Sequence, residues 1–234
     1  MTIQVKGLRK KYFNKEAVKG VDFTIEPESI IGLLGRNGAG KSTVLNMIAR
    51  RIEKTSGDIT LDGVDLHKTP RAMHQVYLSS TENWFPKEYK FKDLLSIYKK
   101  TYPEFDSDFA EDLIKVFGVN VKERFSKAST GYQSIMKIIL ALCNPSEYIF
   151  MDEPVLGLDA NHRHIFNKKL LEAYARNPRT FVIATHLIEE VASILEKVIV
   201  IKDGVVTEEV MVEEVLGKGY VVSGATSLVQ EFVA

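Results

Sequence analysis

An α/β protein with a mostly parallel central sheet is the fold class that the sequence predicts, and three observations predict it. Short apolar runs alternate with helically spaced segments through most of the chain. Two of those runs, EYIFMDE (147–153) and TFVIATH (180–186), are almost unbroken, as expected of parallel strands covered on both faces. A complete G-x-x-x-x-G-K-[ST] string stands between an apolar strand and a helix, where a phosphate-binding loop belongs.

The elements follow in order. IQVKGLRKKYF (3–13), VDFTIEP (21–27) and DITLDG (58–63) alternate in polarity and carry turn residues, which predicts an antiparallel layer at the N-terminal end. SIIGLLG (29–35), QVYLSS (75–80), EYIFMDE, TFVIATH and KVIVIKDG (197–204) read as strands of the central sheet. STVLNMIAR (42–50) opens a helix, and residues 160–175 and 187–196 show helical spacing. Between 88 and 145 the pattern changes to consecutive helices. FKDLLSIYKKTY (91–102) is followed by SDFAEDLIKVFGV (107–119), where Phe109, Leu113 and Phe117 share a face and Gly118 is placed to cap the end. A third helix spans 132–142. The expected division is a core of 1–87 and 146–234 with an inserted helical subdomain over 88–145, together making one domain. The tail GYVVSGATSLVQEFVA (219–234) reads as the start of a further strand and helix, which suggests a longer natural chain.

Composition limits the function classes. The chain has 234 residues, 45% apolar and 26% charged, ordinary for a globular protein with a core. Lys plus Arg and Asp plus Glu are both 31, so net charge gives no argument for a nucleic-acid partner, and none is expected. The single Cys143 excludes an internal disulfide and reads as a small buried residue on a helix. No run reaches the ~18 apolar residues of a membrane span, and MTIQVKGLRK carries no signal-peptide core. A cytoplasmic protein is expected, with membrane association only through a partner.

Three strings carry chemistry. In Gly35-Arg36-Asn37-Gly38-Ala39-Gly40-Lys41-Ser42, followed by Thr43, the glycines let backbone N–H groups wrap phosphates at a helix N-terminus. Lys41 would meet the β- and γ-phosphates and Ser42 would hold Mg²⁺. Asp152 and Glu153 end a buried strand, at the sheet edge where ligands bind. Asp152 would orient Mg²⁺ and Glu153 would act as general base on water, although an acid pair at a strand end is often solvated surface. His186 ends another strand at the same edge; a lone histidine is usually structural, and here it is placed to contact a γ-phosphate.

These elements in this order resemble the ATP-binding cassette (ABC) ATPases over nearly the whole chain, and GLLGRNGAGKST and FMDEPVLGLD match that family closely. The resemblance implies a P-loop NTPase core with a helical subdomain, ATP and Mg²⁺ as ligands, and two chains sandwiching two ATPs. Tyr12, in LRKKYF, takes the position of the aromatic that stacks on adenine, the alternative being an ordinary strand aromatic. Asp159 takes the position that faces the partner subunit, and His186 that of the switch histidine. KASTGYQ (127–133) stands where the family has its signature, usually LSGGQ. Ser129, Thr130 and Gly131 would close on the partner's ATP; Ala128 and Tyr132 depart from the usual Leu and Gln. The family's metal-sensing Gln is replaced by Ser80, with Glu82 as the alternative.

The resemblance further implies an ATP-binding subunit working with a separate membrane-spanning permease on the inner face of the cell membrane. A softer likeness, over FMDEPVLGLD and residues 174–204, is to exporter-type members often encoded beside a GntR-type repressor, with antibiotic or peptide cargo. The segment 80–100 would line the permease groove, where Trp84 and Phe85 are either interface anchors or core. A soluble ABC-type ATPase acting on ribosomes or DNA is the second class; it usually has two cassettes or a long coiled-coil insertion, and this chain has neither. A P-loop phosphotransferase, the third, would lack the signature and the ordered Asp152-Glu153 and His186 set.

Overall fold

The computed structural model describes residues 1–68 and 70–217, so the reading of 219–234 lies outside the described residues. The chain opens with a hairpin of β1 (Ile3–Tyr12) and β2 (Lys15–Ile25), then enters β3 (Ile30–Leu34) and helix α1 (Lys41–Ile48). It continues through β4 (Ser56–Leu61), β5 (Val64–Asp65) and a single helical turn, α2 (Pro70–Met73), to β6 (Val76–Ser79). Helices α3 (Phe91–Thr101), α4 (Ser107–Val116) and α5 (Thr130–Leu142) follow without an intervening strand. Then come β7 (Tyr148–Asp152), α6 (Ala160–Arg176), β8 (Thr180–Thr185), β9 (Lys197–Lys202), β10 (Val205–Met211) and α7 (Val212–Gly217).

The strands sort into two sheets. One is antiparallel in the order β2-β1-β4-β5; the other runs β10-β9-β3-β8-β7-β6, parallel throughout except for β10. Every residue of β3, β7 and β8 is buried because their two faces feed different cores. Ile31, Leu33, Phe150, Val182 and Ala184 join the antiparallel sheet and α1. Ile30, Leu34, Ile149, Met151, Phe181 and Ile183 join α5, α6 and the helical segment. This two-sided burial is why those strands read as continuous apolar runs.

In α4 the expected face is buried: Phe109, Leu113 and Phe117 all sit in the core. Gly118 at φ +65° ends the helix, its N–H bonding to Lys115 O while Val119 N–H reaches back to Ile114 O, the paired pattern of a left-handed helix stop. Buried Arg179 donates to the carbonyls of Leu142 and Asn144, satisfying the end of α5.

Three elements differ from the expectation of the sequence. Residues 187–196 form two short 3-10 turns, Ile188–Glu190 and Ala192–Ile194, rather than a helix. Asn167 of α6 donates to Glu190 O at 2.7 Å, engaging the carbonyl a continuous helix would offer to Ile194, whose N–H bonds to Val191 O instead. The helix expected at 132–142 begins at Thr130, because Ser129 caps it: Ser129 Oγ accepts from Tyr132 N–H at 3.3 Å. The β9–β10 hairpin was also unread, although Asp203-Gly204, both at positive φ between paired Lys202 and Val205, is a strong hairpin-turn signal.

Candidate active site

Parallel β3, β8, β7 and β6 end on one edge of the sheet, and the chemistry-bearing side chains lie there. The P-loop leaves β3 with Arg36, Asn37 and Gly38 exposed at its tip and returns into α1. Gly40 precedes the helix at φ +112°, and a Cβ there would stand 2.9 Å from Ala17 O of β2, so both conformation and space demand glycine. Gly204 N–H bonds to Ala39 O at 3.0 Å, which pins the loop from the β9–β10 turn.

Lys41 is buried, with Nζ donating to Gly35 O at 2.6 Å and Arg36 O at 3.2 Å and lying 3.5 Å from Glu153 Oε1. Beside it, Ser42 Oγ donates to Asp152 Oδ1 at 3.0 Å, and Thr43 is half-buried in the same turn. Burial holds the Asp152 carboxyl above the usual carboxylate range; the Ser42 hydrogen bond opposes this, the Glu153 charge adds to it, and the Lys41 and Lys137 cations oppose it.

Glu153 continues the ladder for one residue, its N–H bonding to Ala184 O at 2.8 Å, and then turns at φ +50°. A left-handed glutamate is strained backbone of the kind that collects at working sites. Its carboxylate accepts from Thr185 Oγ1 at 2.9 Å and from His186 Nδ1 at 2.9 Å. With a carboxylate that only accepts, this contact requires the Nδ1–H tautomer of His186. Lys41, Ser42, Asp152, Glu153, Thr185 and His186 are therefore brought together. Thr185 went unnoticed in the sequence; its only signal was a polar residue closing an apolar strand.

Ser80 is buried and donates to Glu82 O at 3.3 Å. It lines a cleft that Asp152 and Glu153 also line, whereas Glu82 is exposed and is not among the lining residues. Ser129 and Thr130 are exposed at the start of α5. Gly131 has a tighter reason to be glycine than an approaching phosphate: a Cβ would lie 2.2 Å from Gly157 O. Asp159 is exposed and caps α6, accepting from His162 N–H at 2.8 Å, with His162 Nδ1 2.9 Å from its other oxygen. Those bonds hold its carboxyl below the usual range.

Tyr12 lies at the end of β1, 42% exposed, with the Lys10 ammonium 4.9 Å above its ring. Next to it Phe13, 98% exposed at φ +47°, is a second aromatic on the hairpin tip that the sequence reading passed over. Trp84 is 70% exposed, while Phe85 is half-buried with its ring edge-on to Phe125 at 4.9 Å. Trp84 is therefore not a core residue, whereas Phe85 packs against the helical segment. Cys143 is buried, which pushes its thiol pKa up and agrees with an inert core residue.

The oxygens of Ser42 and Asp152 form a hard donor pair of the sort Mg²⁺ prefers, completed from phosphate and water. Among the described residues no cluster of three or more His, Cys, Asp or Glu offers a self-sufficient metal cage. The arrangement suits a metal that arrives with a nucleotide.

A family model described as ABC transporter matches residues 18–156, which span the P-loop, the helical segment, Ser129–Gly131 and the Asp152-Glu153 pair. The chain belongs to the ABC transporter family. Tyr12, Asp159 and His186 lie outside the matched residues. The ABC transporter ATP-binding protein YtrB of Bacillus subtilis (strain 168) is 29% identical over 212 residues, covering 91% of this chain and 73% of that protein. The ABC transporter ATP-binding protein NatA of the same organism is 33% identical over 196 residues, covering 81% and 79%. A solved structure of the ATP-binding subunit of an ABC transporter superposes with a TM-score of 0.83 over 100% of this chain and 99% of its own; at 19% identity this is a likeness of fold. As a family member the chain is an ATP-binding subunit and an ATPase. Among the described residues no helix is long and apolar enough to cross a membrane.

Proposed function

We propose that this ABC ATPase works as a dimeric sandwich that drives a separate membrane-spanning permease, most consistently for export of an antibiotic or peptide. The observation that carries the nucleotide chemistry of this reading is the bonded network of Lys41, Ser42, Asp152, Glu153 and His186 at one sheet edge. P-loop N–H groups and the N-terminus of α1 receive the phosphates, and the Lys41 ammonium exchanges the Gly35 and Arg36 carbonyls for phosphate oxygens. Ser42 and Asp152 would hold Mg²⁺, and Ser80 lines the same cleft as Asp152. Bound Mg²⁺ neutralises charge on the phosphates. Glu153 takes the proton of the attacking water; Thr185 orients its carboxylate, and His186 reports on the γ-phosphate.

Tyr12 supplies the adenine platform, with Phe13 beside it. Ser129, Thr130 and Gly131 at the start of α5 meet the partner chain's phosphate, and Asp159 faces the same partner. Residues 88–145 act as the helical subdomain, and Trp84 on the segment entering it is the anchor for the permease, which holds the protein at the inner face of the membrane.

The test is Ser129→Arg in the full chain. Monomer affinity for ATP is expected to be unchanged, while ATP-dependent dimerisation, measured by light scattering, fails because a bulky cation fills the partner's phosphate space. Reduced monomer affinity with normal dimerisation would remove Ser129 from the trans site. Co-purification of the wild-type chain with a membrane protein supports the permease; its absence favours an ATPase not coupled to transport.

A further inference from the structure

From Ile135 to Leu142 the helix α5 is apolar except at Lys137. A half-buried lysine gives up hydration and rotamer freedom, so its partners must account for its presence. Its Nζ donates to three successive carbonyls of the segment leaving β6: Ser80 at 2.9 Å, Thr81 at 2.8 Å and Glu82 at 3.4 Å. An ammonium has three hydrogens, one for each. One helical turn earlier, Gln133 Oε1 accepts from Asn83 Nδ2 at 2.7 Å, and Gln133 Nε2 donates to Phe125 O at 3.1 Å and Ala128 O at 3.0 Å. Two side chains of one helix therefore hold residues 80–83, and the first turn of that helix carries Thr130 and Gly131.

The position is also chemical. Lys137, Gln133, Thr130 and Ser80 line the same cleft of about 60 Å³ as Asp152 and Glu153. Burial lowers the lysine's pKa to about 8, with Asp152 opposing the fall and Arg51 adding to it. Arg51, in the segment after α1, donates to Leu78 O at 2.6 Å, so the strand end is fixed from the P-loop side and the loop after it from the α5 side.

We propose that Lys137 is a positioning residue for ATP hydrolysis: through the Ser80, Thr81 and Glu82 carbonyls it sets the loop wall of the Asp152–Glu153 cleft, and it ties that wall to the Thr130–Gly131 turn. The proposal rests on the ATPase reading, since the cleft matters only if Asp152 and Glu153 work on a nucleotide. Without the ammonium, three convergent carbonyls lose their common donor and the loop turns them outward to water, carrying Ser80 with it.

Lys137→Met keeps the length and removes the charge; Lys137→Arg restores the cation. In the purified full chain, Lys137→Met is expected to lower kcat by roughly 10- to 100-fold, the effect of misplacing a catalytic wall. Affinity for ATP, read with a fluorescent ATP analogue, stays close to wild type, and amides of residues 81–83 exchange hydrogen faster. Lys137→Arg should recover most of both effects. A merely structural lysine would instead lower melting temperature and ATP affinity together, with kcat following stability. Wild-type kcat and wild-type amide exchange in Lys137→Met would overturn the proposal. If the wild-type chain hydrolyses no ATP, the ATPase reading fails, and amide exchange in Lys137→Met still decides whether Lys137 holds the loop.

Discussion

The two halves of the candidate site are built differently. At the sheet edge, side chains from the P-loop helix, β7 and β8 are bonded to one another: Ser42 to Asp152, Lys41 close to Glu153, Glu153 to Thr185 and His186. At the starts of α5 and α6, Ser129 and Asp159 bond within their own first turns and face solvent. The first half is bonded together within one chain. The second offers helix N-termini, which gain a purpose only when an anion or another chain is brought to them. The string KASTGYQ looks unremarkable in one chain for this reason.

The largest expected effect falls on the bonded half. Glu153→Gln keeps the shape, leaves ATP binding intact and should lower phosphate release by roughly 10²–10⁴-fold, the usual worth of a positioned base. It should also lengthen the life of the ATP-bound dimer. Hydrolysis near the wild-type rate would break the comparison at its root, because the network would then be structural.

Next in size is a substitution that asks how firmly the outward half is seated. Gly131→Ala places a methyl 2.2 Å from the Gly157 carbonyl, and backbone rather than a flexible side chain must yield. Overpacking of this kind costs about 1–3 kcal/mol, so the melting temperature should fall while monomer affinity for ATP holds. An unchanged melting temperature would mean the contact opens freely and the two loops are independent.

The smallest pair separates Trp84 from Phe85. Phe85 packs half-buried against Phe125, so Phe85→Ala should cost about 2 kcal/mol, below the usual figure for a fully buried phenylalanine. Trp84→Ala should stay within ~0.5 kcal/mol of wild type and lose capture of the membrane partner. A fully stable Trp84→Ala that still captures its partner would leave that aromatic without a role.

The legible part of this molecule was the part written in neighbouring residues. Strand ends, the P-loop and the acid pair announce themselves because a buried parallel strand is an apolar run and its polar terminus marks the sheet edge. The helix stop at Gly118 was legible for the same local reason. What escaped depends on partners distant in sequence. The 187–196 segment has helical spacing, yet Asn167 takes a carbonyl the helix would use. Lys137 looks like an ordinary solvated lysine until the carbonyls of residues 80–82 are folded over it. Ser129 was visible as a hydroxyl, but its capping of α5, which starts the helix two residues early, needed the bond to Tyr132 N–H. Gly131 was noticed as a small residue, but its contact with Gly157 escaped, since nothing local points there.

That glycine pair has a mechanical consequence. Glu153 is joined to Gly157 by Pro154, Val155 and Leu156, and Gly157 rests on Gly131 with no side chain between them to act as a cushion. The seat would act as a cam against a follower: a rise in the segment after the base would meet the backbone of the first turn of α5. In a dimer of the proposed arrangement, that turn grips the other nucleotide. Cleavage at one ATP would then loosen the grip on the second, and the two turnovers would be timed by a contact containing only backbone.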